Sequence, residues 1–92
     1  MFRVWGRTVK RGHMINEYTA CIEDYTLNRT RKVYAALDEI CENLHISKPY
    51  WLNLNQKDFI KFAKTRFTQD NFMDKIEFDY LEIRVIEEDM YY

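Results

Sequence analysis

The strongest periodic pattern in the chain lies in residues 28–45, where apolar residues recur at the spacing of one helical face. The residues that share this face are Val33, Ala36, Leu37, Ile40, Cys41 and Leu44. No Gly or Pro interrupts the pattern, and Pro49 biases the residue before it away from helical geometry. The pattern therefore predicts an amphipathic helix whose apolar stripe must be buried against a flat surface.

The neighbouring segments have the composition of strands that could form this surface. The predicted strands are residues 2–10, 14–23 and 76–87. Gly12 can adopt a positive φ and predicts a hairpin turn between the first two. In the last strand, Leu81, Ile83 and Val85 alternate with charged residues, which indicates one buried face.

A second, shorter helix is predicted from Asn55, an N-cap candidate with Asp58 three residues on. Its apolar stripe is Phe59, Phe62 and Ala63, and it is expected to end near Lys64. The element order is then ββααβ. We expect an α+β two-layer sandwich, with a three-stranded antiparallel sheet in the order 2-1-3 and both helices on one face. We expect residues 1–92 to form a single domain, with residues 88–92 as a frayed tail.

Composition limits the class of protein. Of the 92 residues, 47% are hydrophobic and 16% aromatic, which is enough for one packed core. No apolar run approaches the roughly 18 residues that span a membrane. Arg3 and Arg7 interrupt any signal-like run at the start. We therefore expect a cytoplasmic protein without membrane contact.

The sequence contains no recognisable catalytic or metal-binding motif. Cys21 and Cys41 are expected to face the core as free thiols, and neither shares a metal-ligand spacing with His13 or His45. A nucleophile elbow and a Gly-rich phosphate loop are also lacking. We expect no metal, no cofactor and no enzymatic activity.

Charge is unevenly distributed along the chain. Residues 1–34 carry seven basic and three acidic residues, whereas residues 76–92 carry six acidic residues and one basic residue. Arg29, Arg31 and Lys32 lie at the start of the main helix, where cations oppose the helix dipole. The three cations are a candidate anion-binding site, such as for a nucleic-acid phosphate. The alternative is that they pair with the acidic residues of the last strand.

A dense polar run occupies residues 65–72. Arg66, Thr68, Gln69, Asp70 and Asn71 form a candidate recognition loop, because loops on rigid scaffolds often carry function. The alternative is a structural turn, in which these side chains form hydrogen bonds with the local backbone and Phe67 and Phe72 anchor the turn to the core.

Aromatic and basic residues also alternate between positions 48 and 67. The aromatic members are Tyr50, Trp51, Phe59, Phe62 and Phe67, and the basic members are Lys48, Lys57, Lys61, Lys64 and Arg66. Single-stranded nucleic acid binds surfaces that combine these two residue types. Alternatively, the aromatic residues belong to the core and the lysines form the solvated side of the second helix.

Three segments resemble a family of small uncharacterised bacterial proteins. They are FRVWGR at residues 2–7, SKPYWL at 47–52 and KTRFTQDNF at 64–72, and the likeness extends over nearly the whole chain. The resemblance implies no known activity and adds no functional residue.

From the residues themselves we expect a small protein-interaction or regulatory module that self-associates. The basis is the high aromatic content and the apolar residues on both faces of the first strand. The homodimer would form through the open sheet face or an edge strand. The alternative is a nucleic-acid-binding module that uses the basic residues at the start of the first helix and along the second.

Overall fold

The computed structural model describes residues 1–89 and contains four strands and two α-helices. In chain order these are β1 (Phe2–Lys10), β2 (His13–Ile22), α1 (Arg29–Leu44), α2 (Asn53–Phe62), β3 (Lys64–Phe67) and β4 (Tyr80–Glu87). A 3₁₀ turn, Gln69–Asn71, follows β3. The predicted α+β class, with two helices and an antiparallel sheet, is confirmed.

The sheet has four strands in the order β2-β1-β4-β3, with antiparallel pairing throughout. The prediction of three strands in the order ββααβ is wrong, because β3 pairs with the outer side of β4. In β3, Thr65 and Phe67 are buried while Lys64 and Arg66 are exposed. This alternation spans only four residues, and most of it lies within the polar run at residues 65–72. The sequence pattern alone therefore does not identify these residues as a strand.

Helix α1 covers β1 and β2 with the predicted apolar stripe. Asn28 is the N-cap, and its side-chain oxygen accepts a hydrogen bond from the Arg31 backbone N–H at 2.9 Å. His45 ends the helix in the left-handed conformation with φ 56°. Ile40 is fully buried directly over Gly6, where a Cβ atom would lie 2.6 Å from Ile40 Cγ2. Gly6 therefore sets how closely the helix approaches the sheet.

Helix α2 lies over β3 on the same face of the sheet as α1, since its Asn55 contacts Thr65. The helix starts three residues earlier than predicted, because Leu52 rather than Asn55 is the N-cap. Phe59 is buried as expected. Phe62, predicted to be a core residue, is 56% exposed and is the last residue of the helix.

Ion pairs extend the ordered structure past β4. Glu88 pairs with Arg29 and Asp89 pairs with Lys32, so both acidic residues are anchored to α1 although they fall in the stretch expected to fray. The remainder of that stretch, residues 90–92, lies outside the described part of the chain.

The two cysteines lie in different environments, and both are free thiols. Cys41 packs in the core, and burial, together with the nearby Asp38 charge, raises its pKa to about 12. Cys21 was expected to face the core but is exposed, because it pairs with Arg3 on the face of the sheet opposite the helices. A pair on opposite faces is not placed for a disulfide.

Candidate functional site

The face of the sheet opposite the helices, called the open face below, is lined by charged residues. Strand pairing places two rows of side chains across all four strands. From β2 to β3, one row is Glu17, Arg7, Glu82 and Arg66, and the other is Thr19, Trp5, Arg84 and Lys64. The open face is thus not the apolar surface that we predicted for a homodimer.

Glu82 lies at the centre of these rows, with only 3% of its side chain exposed. Arg66 Nε donates a hydrogen bond to Glu82 Oε1 at 3.0 Å, and Arg7 Nη2 lies 3.3 Å from Oε2. Arg84 Nη2 is 3.9 Å from the same oxygen. Burial alone raises the pKa of Glu82, but the hydrogen bond from Arg66 and the three positive charges outweigh it. The resulting pKa is below the usual value, and the carboxylate stays ionised.

Two aromatic rings lie against these arginines. The Arg66 guanidinium carbon is 4.4 Å from the centroid of Tyr80, and that of Arg7 is 5.2 Å from the centroid of Trp5. Both distances fall in the range of cation–π contacts. Trp5 Nε1 also donates to a carboxylate oxygen of Glu17 at 3.0 Å. The rings and guanidinium groups are therefore held in place before any ligand binds.

Two polar atoms at the centre of the open face are buried without a hydrogen-bond partner in residues 1–89. They are Arg7 Nε and Glu82 Oε2. Oε2 lies near Arg7 Nη2 but outside hydrogen-bond geometry. Buried polar atoms in this state are uncommon in native proteins.

Replacing Glu82 with Gln should lower the free energy of unfolding by about 2 kcal/mol at pH 7, because the ion pairs with the arginines are lost and the hydrogen bond from Arg66 becomes weaker. A lowered carboxyl pKa contributes stability above the unfolded-state value of about 4.3, and this contribution disappears as pH falls through the folded-state pKa. The difference between wild type and variant should therefore shrink towards pH 3. Urea denaturation at pH 7 and pH 3 measures both values.

Glu17→Gln is the matched control for this substitution, since Glu17 lies in the same row but is exposed. We expect it to change stability by less than about 1 kcal/mol at either pH. Equal losses for the two variants at pH 7 would contradict the central role of Glu82.

The three basic residues at the start of α1 lie in different environments. Lys32 is 1% exposed and pairs with Asp89, while Arg29 Nε lies 2.7 Å from Glu88. Only Arg31 presents its side chain to solvent without such a contact in residues 1–89. Arg29 and Lys32 thus pair with acidic residues, as the alternative expected, but these acidic residues follow β4 rather than lie within it. The anion site stays a prediction.

The candidate recognition loop is divided between two structural roles. Arg66 belongs to β3 and the open face. Gln69 donates to the Asp74 carbonyl at 2.8 Å and accepts from the Ile76 N–H at 2.9 Å, which ties down the segment before β4. Thr68 and Asp70 are exposed, whereas Asn71 is buried. The run is therefore a strand followed by a hydrogen-bonded 3₁₀ turn, not a free loop.

Two buried amides, Asn55 and Asn71, connect α2, β3 and the 3₁₀ turn. Asn71 Nδ2 donates to Asn55 Oδ1 and to the Tyr50 carbonyl, both at 2.7 Å. Asn55 Nδ2 donates to Thr65 Oγ1 and to the Arg66 carbonyl, both at 2.9 Å. Every side-chain donor of the pair has a protein partner, so the pair holds these three segments together.

The basic and aromatic residues between positions 48 and 67 separate only in part, since Lys61 Nζ lies 5.3 Å from the ring centroid of the exposed Phe62. Trp51 makes edge-to-face contacts with Tyr34, Phe59 and Phe67, with centroids 5.1–5.7 Å apart. These aromatic residues belong to the core and its rim. Lys57 and Lys61 are exposed on α2, which also leaves Leu54 and Ile60 exposed. Lys64, expected at the end of the second helix, lies in β3 and reaches the open face.

Comparison with known proteins identifies no relative: no family model, curated protein or solved structure matches the chain. Within residues 1–89, no helix is long and apolar enough to cross a membrane. The same residues bring together no group of three or more side chains suited to hold a metal ion.

Sequence reasoning missed the centre of the open face. Trp5, Arg7, Glu82 and Arg84 were assigned to strands but to no site. Each strand alone shows only an alternating pattern, and the rows exist only once the register between strands is known. One feature of the sequence could have indicated it. Arg7, Glu82 and Arg84 occupy alternate positions that face the same side of two strands expected to pair.

Proposed function

We propose that this protein is a non-enzymatic interaction module that forms a homodimer by antiparallel pairing of β2 with β2 of a second copy. The observation that carries the proposal is the nature of this edge strand. β2 has ten residues, and its outer backbone groups have no strand partner within residues 1–89.

The composition of β2 favours strand pairing. Natural edge strands are usually short or protected by Lys, Pro or a covering segment, because unpaired N–H and C=O groups attract another strand. β2 contains no Lys, Arg or Pro, and Glu17 is its one acidic residue. These features are typical of an edge that is paired in the functional assembly.

The register limits which part of β2 can pair. Thr8 pairs with Asn16 and Val9 pairs with Met14, so Ile15 is an extra residue in a β-bulge. The regular stretch is therefore residues 16–22, about 24 Å long. Seven residues are enough for an antiparallel pair with two-fold symmetry, in which each strand presents the same surface to the other.

A two-fold axis at Thr19 gives a complementary charge pattern. It places Glu17 of one copy opposite Cys21 of the other and keeps the two Glu17 carboxylates apart. Arg3 is the β1 neighbour of Cys21, so each Glu17 also approaches Arg3 of the second copy. A dimer formed through the open face would be less favourable, because burying its ion pairs removes them from water and costs free energy.

Sedimentation equilibrium between about 5 and 100 μM tests the proposal, the concentration range in which micromolar affinity is visible. Thr19→Lys should weaken the dimer at least tenfold, since it places two lysines at the axis. Ser47→Lys is the control, because it adds the same charge at an exposed position away from β2. A wild-type protein that stays monomeric at 100 μM, or equal weakening by both variants, would disprove the β2 dimer.

A further inference from the structure

We propose that the open face binds single-stranded nucleic acid, with its arginines contacting phosphates and Trp5 and Tyr80 stacking on bases. This inference goes beyond self-association and does not depend on it. It also uses residues other than those at the start of α1 and along α2.

The open face carries more positive than negative charge although the whole chain has a net charge of −1. In the two central rows, four cations (Arg7, Arg66, Arg84 and Lys64) face two anions (Glu17 and Glu82). The excess of two positive charges is concentrated on the β4 and β3 side. An anionic ligand is therefore attracted to this side of the face.

Glu82 holds the arginines without neutralising all of them. Arg66 uses Nε for its hydrogen bond to Glu82, and its side chain is still 58% exposed. Arg84 is 44% exposed and lies 3.9 Å from the same carboxylate. One buried carboxylate thus positions the Arg66 and Arg84 guanidinium groups, whose side chains stay about half exposed to solvent. A planar guanidinium matches the geometry of a phosphate.

The aromatic residues add a second kind of contact. Trp5 and Tyr80 are half-buried, and each ring lies next to an arginine guanidinium, so a base can stack on the exposed part of the ring or on the guanidinium plane. Tyr80 pairs with Val9, four residues from Trp5 along β1, which separates the two rings by about 14 Å along the strands. A ligand that reaches both rings must be extended and must carry more than one planar group.

Single-stranded nucleic acid has these properties. Its bases are free to stack on aromatic or guanidinium planes while its phosphates contact basic residues. In a duplex, by contrast, the bases are already stacked and paired, so the rings of a flat sheet face cannot reach them. The combination of rigid arginines and half-buried rings therefore selects single strands over duplexes.

Fluorescence anisotropy with labelled dodecathymidine tests the inference. A labelled 12-base-pair duplex, titrated separately, is the comparison ligand. We expect saturable binding of the single strand at 50 mM salt and a steep loss of affinity at 200 mM salt. The duplex should bind at least tenfold more weakly.

Variants locate the site. Arg84→Gln and Lys64→Gln are suitable because neither side chain donates a hydrogen bond to Glu82 within the described structure. Each should weaken binding several-fold and reduce the salt slope by about 0.7. Trp5→Leu should weaken binding about tenfold through lost stacking. Lys57→Gln and Lys61→Gln remove the same charge from α2 and should leave affinity unchanged.

Three results would overturn the inference. One is no anisotropy change at 100 μM protein and 50 mM salt. Another is equal loss of affinity in the α2 control variants. The third is equal affinity for the duplex. Circular dichroism of each variant establishes that a loss of binding is not a loss of fold.

Discussion

Replacing Asn71 with Ala is expected to lower the free energy of unfolding by about 3 kcal/mol. The Asn71 amide makes three hydrogen bonds in a buried site, to the Tyr50 carbonyl, to Asn55 Oδ1 and from the Thr68 N–H at 3.0 Å. Alanine makes none of them. Each buried polar group left without a partner costs about 1–3 kcal/mol, and incomplete relaxation or water entry makes the sum smaller than three full penalties.

Urea denaturation followed by circular dichroism measures this change, and Gln69→Ala is the matched control. Gln69 also makes two hydrogen bonds to backbone groups, but it is exposed, so water can replace them. We expect its loss to cost less than about 1 kcal/mol. Similar losses for the two variants would mean that burial of the Asn55–Asn71 pair does not determine its contribution to stability.

Gly6→Ala is expected to lower the free energy of unfolding by about 2–3 kcal/mol although it adds only one methyl group. The added Cβ would lie 2.6 Å from Ile40 Cγ2 and 3.0 Å from Cδ1. Because Ile is branched at Cβ, its Cγ2 cannot turn away without leaving its preferred rotamer. The helix or the strand must therefore move apart, which opens the core around Val4 and Ile83.

A double-mutant cycle with Ile40→Ala identifies the cause. Ile40→Ala alone should cost about 2–5 kcal/mol through the cavity it creates. In that background Gly6→Ala should cost at least 1 kcal/mol less than in the wild type, because the colliding methyl groups are gone. Gly12→Ala is a useful comparison, since its Cβ meets no atom within 4 Å and only its φ of 78° is unfavourable. Full additivity of the two substitutions would exclude the proposed collision.

Much of α1 could be predicted from local sequence. Its apolar stripe repeats at helical spacing over three turns, and Asn28 provides the N-cap. The same local logic identified β1 and the hairpin that joins it to β2. These features depend on residues close together in the chain, so a single sequence carries most of the information.

Helix α2 and β3 were less accessible to this reasoning. Asn55 has the residue type of an N-cap but occupies the third position of the helix, where its amide joins the buried pair with Asn71. β3 is only four residues long and was hidden in a polar run. Its identity as a strand depends on pairing with β4, and this interaction is not encoded within β3 alone.

The sequence by itself determined the α+β class, the amphipathic helix and the central position of β1, because periodicity and capping act over a few residues. Only the tertiary structure decided the chemistry of the open face. Glu82, Arg7 and Arg66 belong to three different strands, and their contacts depend on the register of a four-stranded sheet. A shift of one residue in any strand would turn its side chains to the other face.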